Sequence, residues 1–346
     1  MKKITITLAA VIIALSSTFQ AQAQKQQRRP GSQGAQSAPA SWQELSSMRD
    51  PMNMWCMFFK DANNGWVGGQ GRIVHTSDGG KTWEKQYVGQ GRVSAIYFKN
   101  DKDGFAAGES NLYMYTHDGG ATWKEVYTVF QGASFTKIFF TDATHGYMLS
   151  TSTVYRSTDG GATWKDVGPK KPAEYSTRDY TGLAFTDTKH GILVGQYEMM
   201  FTTDDGGTTW KANTKDYFSG PRRNLYSIGF INATTGWISC SKGSEEDLDI
   251  DCLYTEDGGV TWTKKKCFNL YQIHNFTFHG NCGVAISPMN QKTLYVTTDG
   301  GATWTEQTVV EGRDKVFAGE LFSPTVGFAV VIDRENNLFH IYVPKP

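Results

Sequence analysis

From residue 55 onward the apolar positions fall in short runs, each closed by small or polar residues. Residues 55–60 read WCMFFK, 65–69 GWVGG, 72–77 RIVHTS and 82–86 TWEKQ, with Asn, Asp and Gly between them. Short stretches rich in aromatic and β-branched residues, punctuated by such turn formers, predict strands. No helical periodicity of useful length competes with that reading. The chain is therefore expected to be all-β.

A second pattern is laid over the first. TSDGGKTW begins at Thr76, THDGGATW at Thr116, STDGGATW at Ser157, TDDGGTTW at Thr203, TEDGGVTW at Thr255 and TTDGGATW at Thr297. The aspartates Asp78, Asp118, Asp159, Asp205, Asp257 and Asp299 are 40, 41, 46, 52 and 42 residues apart. That period suits propeller blades of four strands each. The motif falls between the third and fourth strands, where the chain must reverse. Gly80 and its equivalents supply the positive φ of such a turn, and the aspartate accepts backbone N–H groups within it. The threonine hydroxyls add local bonds, and the tryptophan covers apolar surface between blades. These aspartates read as structural, not catalytic.

First-strand segments end at Phe59, Phe98, Phe140, Phe185, Phe230, Phe278 and Phe322, which counts seven against six Asp motifs. ASWQEL at 40–45 aligns with ATWKEV at 121–126, so Trp42 is placed in the missing fourth strand. The expectation is a seven-bladed β-propeller over residues 41–346, with four-stranded blades and a ring closed by the N-terminal strand completing the last blade.

The motif matches the Asp-box, or BNR, repeat, Ser/Thr-x-Asp-x-Gly-x-Thr-Trp. The fuller unit DANNGWVGGQGRIVHTSDGGKTW resembles the photosystem II stability and assembly factor family, and the likeness extends from Trp42 onward. The resemblance implies a seven-bladed propeller with a basic patch for binding a partner. Sialidases and some xyloglucan-degrading hydrolases also carry Asp boxes, so the motif alone does not select an activity.

Composition adds the setting. Lys2 and Lys3, an apolar run over 4–19 and Ala21-Gln22-Ala23 read as a signal peptide over residues 1–23. Residues 24–40, rich in Gln, Ser and Pro, read as a disordered linker. Export to the periplasm or beyond is expected, with no membrane span. Without Lys2 and Lys3 the 34 basic residues become 32 against 34 acidic, a balance of −2 that argues against nucleic-acid binding. Five cysteines permit two disulfides. Cys240 with Cys252 is the favoured pair, Cys267 with Cys282 a guess, and Cys56 the remaining thiol.

With the Asp boxes on one face, the loops between second and third strands and between blades must lie on the other. Loop length varies there, and binding usually resides in such loops. Arg178, Arg223 and Lys315 fall seven residues before their phenylalanines, with Arg92 one residue later and Arg222 adjacent. These cations, with Tyr175 and Tyr180, are expected at the mouth of the central channel, suited to carboxylate recognition. Glu245, Glu246, Asp247, Asp249 and Asp251 read as a solvated acidic loop in preference to a calcium site, because the spacing of a calcium loop is missing. Glu320 stands where the other first strands place apolar residues.

The leading functional reading is a monomeric, non-enzymatic module that binds a protein or peptide, acidic in character. It needs no cofactor or metal, and no catalytic residue is assigned. The alternative is a glycoside hydrolase or glycan-binding lectin, for which Asp179, Glu174 and Glu320 are candidates without an evident pairing across a substrate. A purely structural envelope component is the third.

Overall fold

The computed structural model describes residues 41–49, 54–126, 130, 133–218, 222–241, 251–268, 273, 275–287, 290–333, 335–336 and 338–345. The expected signal peptide and linker lie outside these. Residues 37–346 form one compact unit.

Strands β2 (Met54–Phe59), β3 (Gly65–Thr76), β4 (Glu84–Phe98), β5 (Gly104–Gly108), β6 (Tyr113–Thr116) and β7 (Lys124–Glu125) make one six-stranded sheet. Four-stranded sheets follow in chain order. The first holds β8 (Phe135–Phe140), β9 (Gly146–Ser150), β10 (Val154–Ser157) and β11 (Lys165–Asp166). The next holds β12 (Tyr180–Phe185), β13 (Gly191–Gly195), β14 (Met200–Thr203) and β15 (Lys211–Ala212). Then come β16 (Leu225–Phe230), β17 (Gly236–Cys240), β18 (Cys252–Thr255) and β19 (Thr263–Lys265). They are followed by β20 (Asn275–His279), β21 (Cys282–Ile286), β22 (Thr293–Thr297) and β23 (Thr305–Thr308). In the last sheet β24 (Lys315–Ser323), β25 (Val326–Asp333) and β26 (Leu338–Pro344) are joined by β1 (Trp42–Arg49).

The described strands thus form an all-β propeller of six sheets, five of four strands and one of six, and this overturns the expected ring of seven separate four-stranded blades. The physical reason lies in β3 and β4. Residues 65–69 and 72–77, read as two strands, run on as one from Gly65 to Thr76 through Gly71. In β4 the stretch VGQGR stays extended, and the register against β3 shifts from Arg72↔Val88 to Gln70↔Arg92. The same strand then pairs with β5 from Val93 to Phe98, which fuses the two units hydrogen bond by hydrogen bond.

Two local rules build each repeat. The phenylalanine ending an inner strand lies over the glycine opening the next: Phe59↔Gly65, Phe98↔Gly104, Phe140↔Gly146, Phe185↔Gly191 and Phe230↔Gly236. A Cβ on Gly146 would stand 2.5 Å from the Phe140 ring, so only glycine leaves the space. The inner strands also share a register shift, between Met54/Cys56, Val93/Ala95, Phe135/Lys137, Tyr180/Gly182, Leu225/Ser227 and Val316/Ala318. Such bulges re-aim side chains. Here Trp55, Ser94, Thr136, Thr181 and Phe317, skipped by the pairing, line the central channel.

Apolar residues of neighbouring sheets fill the gaps between them. Ile192 and Val194 of β13 pack with Ile228, Ile238, Leu253 and Trp262. The termini meet as expected: β1 pairs antiparallel with β26 from Trp42↔Pro344 to Arg49↔Leu338. The Trp42 indole is buried against Val309, Val316 and Val331, and its N–H donates to Gln307 Oε1 at 2.7 Å.

Candidate functional site

The six Asp boxes share one geometry. In the first, Asp78 Oδ1 accepts the Thr82 N–H at 2.9 Å and the Thr76 hydroxyl at 2.8 Å, while Oδ2 accepts the Thr82 hydroxyl at 2.6 Å. The Gly80 N–H donates to the Thr76 hydroxyl, and both glycines sit at positive φ. Every carboxylate oxygen is engaged within its own turn, as also at Asp118, Asp159, Asp205, Asp257 and Asp299. Gly79 N–H donates to Asn63 O and Gly300 N–H to Asn281 O, tying these turns to those between first and second strands. One face of the propeller is thereby occupied by structural turns. The remaining connections emerge on the other.

On that second face the candidate residues part company. Tyr175, Arg178 and Arg222 meet in one patch. Arg222 Nη1 donates to the Tyr175 hydroxyl at 2.6 Å, and Arg222 lies 3.7 Å from Asp216. The Arg178 guanidinium stacks 3.9 Å from the ring centre of Tyr197, a residue without a place in the sequence reading. Tyr197 is 40 % exposed, among the most exposed large hydrophobic side chains described. Arg223 belongs to the same region but is 3 % exposed: its guanidinium covers Phe218 at 4.0 Å and donates to Ser241 O. Tyr180 is 1 % exposed, its hydroxyl donating to Pro169 O beneath Lys171. Arg223 and Tyr180 are thus supports of the patch and do not form its surface. Arg92 works elsewhere, stacked 4.1 Å over Trp55 and ion-paired to Glu109, with Trp55 edge-on to Phe317. Lys315 opens β24, two residues before Phe317.

The patch is built on a strained turn. Tyr197 and Glu198 both adopt left-handed φ, 60° and 57°. For side chains other than glycine that costs of order 1–3 kcal/mol each and persists only where the surroundings enforce it. Enforcement is visible. Tyr197 N–H donates to Asn224 Oδ1 at 3.2 Å, Glu198 N–H to Arg223 O at 2.7 Å, and Arg223 N–H to Glu198 Oε1 at 3.0 Å. Burial raises the Glu198 carboxyl above its ordinary range, while the Arg223 N–H and the Arg222 charge pull the other way.

The channel is a cavity of about 530 Å³ lined by seven inner segments, because the six-stranded sheet contributes both β2 and the end of β4. Glu320 lies on its wall, buried, accepting the Phe59 N–H at 3.3 Å and facing His279 Nε2 at 3.2 Å. Burial raises this carboxyl, and His279 opposes the shift. Burial also lowers the Lys137 ammonium to about 8, where it donates to Leu183 O. The channel is therefore lined mostly by apolar and neutral groups, with the Glu320–His279 pair and Lys137 as its ionisable members.

The favoured disulfide is not formed: all five cysteines are free thiols. Cys252 is the cross-strand partner of Ser239, so Cys240 points to the opposite face of the sheet. Cys240 accordingly packs with Ile238 and Trp262, and Cys252 with Trp237 and Phe268. Cys267 packs in the second of these clusters and Cys282 in a third, with Val296 and Val316. Of the acidic loop, 245–250 lie outside the described residues. Asp251 is buried, its oxygens accepting the Cys267 and Phe268 N–H groups at 2.7 and 2.8 Å.

No described helix is long and apolar enough to cross a membrane. No curated protein matches the chain. Among solved structures, YCF48 bound to a D1 peptide is 19% identical with a TM-score of 0.64, covering 89% of this chain and 98% of that one. YCF48 from Cyanidioschyzon merolae is 18% identical with a TM-score of 0.65, covering 89% and 100%. A GH74 xyloglucanase from Xanthomonas campestris is 10% identical with a TM-score of 0.56, covering 79% of this chain and 50% of that one. These likenesses show the fold. The BNR/Asp-box repeat model matches residues 155–166 and 295–306. The model of the photosynthesis system II assembly factor YCF48 matches residues 35–131 and 172–270, more than half of the chain, and the chain belongs to that family.

Proposed function

We propose that this protein is an exported, non-enzymatic propeller that binds an acidic peptide or protein segment on the face opposite its Asp boxes. The observation that carries the reading is the strained turn at Tyr197 and Glu198, which holds an exposed aromatic ring beneath the Arg178 guanidinium and beside the Arg222–Tyr175 pair. Guanidinium groups bind carboxylates through paired N–H donors, and tyrosine supplies contact area at little entropic cost. A peptide-bound YCF48 among the similar structures supports a peptide as occupant. The carboxylates on this face support binding over hydrolysis. Among the described residues, Glu198 accepts the Arg223 N–H, Asp216 neighbours Arg222 and Glu109 pairs with Arg92, so each of these three carboxylates is held by an arginine. The leader-like residues 1–23 support export, and an N-terminus beginning at Gln24 in the mature protein would check it.

The test is a peptide array probed with the protein and with the double reversal Arg178→Glu/Arg222→Glu. Arg222 is exposed and Arg178 half-buried, and neither belongs to an apolar core cluster, so the variant should fold. Acidic peptides are expected to bind the parent, to lose binding as salt rises, and to lose it in the variant. Binding indifferent to the reversal, or release of sugar from a glycan panel, would overturn the reading.

A further inference from the structure

Cys252 opens β18 and is fully buried, and Cys267 follows two residues after β19, half-buried at the edge of a cavity lined by Trp237, Tyr254, Lys266 and Trp304. Their sulfurs and one Asp251 carboxylate oxygen lie within 4.8 Å of one another. The approach is built in. After Lys265, opposite Cys252, the chain is turned back by Asp251, whose two oxygens take the N–H groups of Cys267 and Phe268. The two thiols end in the same apolar cluster, on one face of the sheet, whereas Cys240 faces the other way.

We propose that Cys252 and Cys267 are a disulfide-forming pair that staples the start of β18 to the segment beyond β19. Side-chain rotation suffices to close the gap between two sulfurs this near to the bonded separation of about 2 Å. The oxidant is a small-molecule disulfide, represented by oxidised glutathione. Cys267, the thiol at the cavity, attacks one sulfur as its thiolate, expels a glutathione thiolate and becomes a mixed disulfide. Cys252, as thiolate, then attacks the Cys267 sulfur, forms the intramolecular bond and expels the second glutathione. The two protons leaving the cysteines end on the two glutathione thiolates, so one disulfide is reduced as the other forms. Burial raises the Cys252 thiol far above its usual range and so disfavours its thiolate, which leaves the first attack to Cys267 and the second, to an adjacent sulfur, to Cys252. A metal ion is the less fitting occupant, because both Asp251 oxygens already hold backbone N–H groups.

The full chain, equilibrated with oxidised and reduced glutathione and alkylated without reduction, tests this. Trypsin cleaves at Lys264, Lys265 and Lys266, so Cys252 and Cys267 fall on separate peptides unless bonded. The expected result is a linked pair, two hydrogens lighter than the sum of its peptides, and a melting temperature that falls on reduction. In Cys267→Ser the link and the redox-dependent melting shift should both vanish, with the fold kept. Both cysteines alkylated in the folded, oxidant-treated protein, a link from Cys240 to Cys252, or zinc retained in stoichiometric amount and lost in Cys267→Ser would each overturn the proposal.

Discussion

At the residue scale, the Asp box shows how a motif can dominate a sequence and remain structural. Hydrogen bonds from Thr82, Thr122 and Thr209 hold the carboxylates of Asp78, Asp118 and Asp205 at about 2, below the ordinary 3.8. A carboxyl lowered in the folded state contributes stability that is complete above its unfolded value and disappears as pH falls through the folded one. The propeller should therefore hold its urea midpoint down to about pH 4 and lose it toward pH 2. Asp205→Asn should flatten its share of that slope, and denaturation curves across this range would check it. The Phe–Gly contact makes a separate prediction. Gly146→Ala drives a methyl into the Phe140 ring, and overpacking of this kind costs about 1–3 kcal/mol. A lowered melting temperature is the expected outcome. Unchanged stability would mean that the ring swings aside freely.

At the element scale, much was legible because the repeat writes its own boundaries. The phenylalanines at 59, 98, 140, 185 and 230 do end inner strands, since each must cover the glycine that begins the next. Pairing of the termini was legible for the same reason, as Trp42 occupies the slot an Asp-box tryptophan fills elsewhere. Trp42→Ala removes a buried indole and its bond to Gln307, and a loss of about 3–5 kcal/mol is expected in chemical denaturation. The seven-blade count, made on the inner-strand phenylalanines, failed where strands run on: Gly71 lies inside β3 and Gly89 and Gly91 inside β4, so two units share one sheet. Cysteine pairing failed on parity. Proximity in a hairpin does not help when two residues point to opposite faces, and Cys240 and Cys252 do. Left-handed backbone at Tyr197 and Glu198 left no mark in the sequence, because no glycine or asparagine stands there. The recurrence of arginines gave the neighbourhood of the patch, but not which guanidinium faces solvent and which lies beneath it.

At the scale of the whole molecule, the two faces divide the labour. One is a ring of closed turns whose polar groups satisfy each other. The other carries the strained turn, the stacked guanidinium and the loops of unequal length. The near-balance of charge conceals this division, since Arg92 and Arg222 both stand beside carboxylates and Arg178 alone caps an exposed ring. Which face binds is the central claim, and photo-crosslinking tests it most directly. A photoreactive phenylalanine analogue placed at Tyr197 reports on the loop face, and one at Val260, 80 % exposed within the fifth Asp box, reports on the other. With an acidic peptide selected on the array, crosslinks should form at 197, weaken as salt rises, and be missing at 260. Crosslinking at 260, or equally at both positions, would contradict the account.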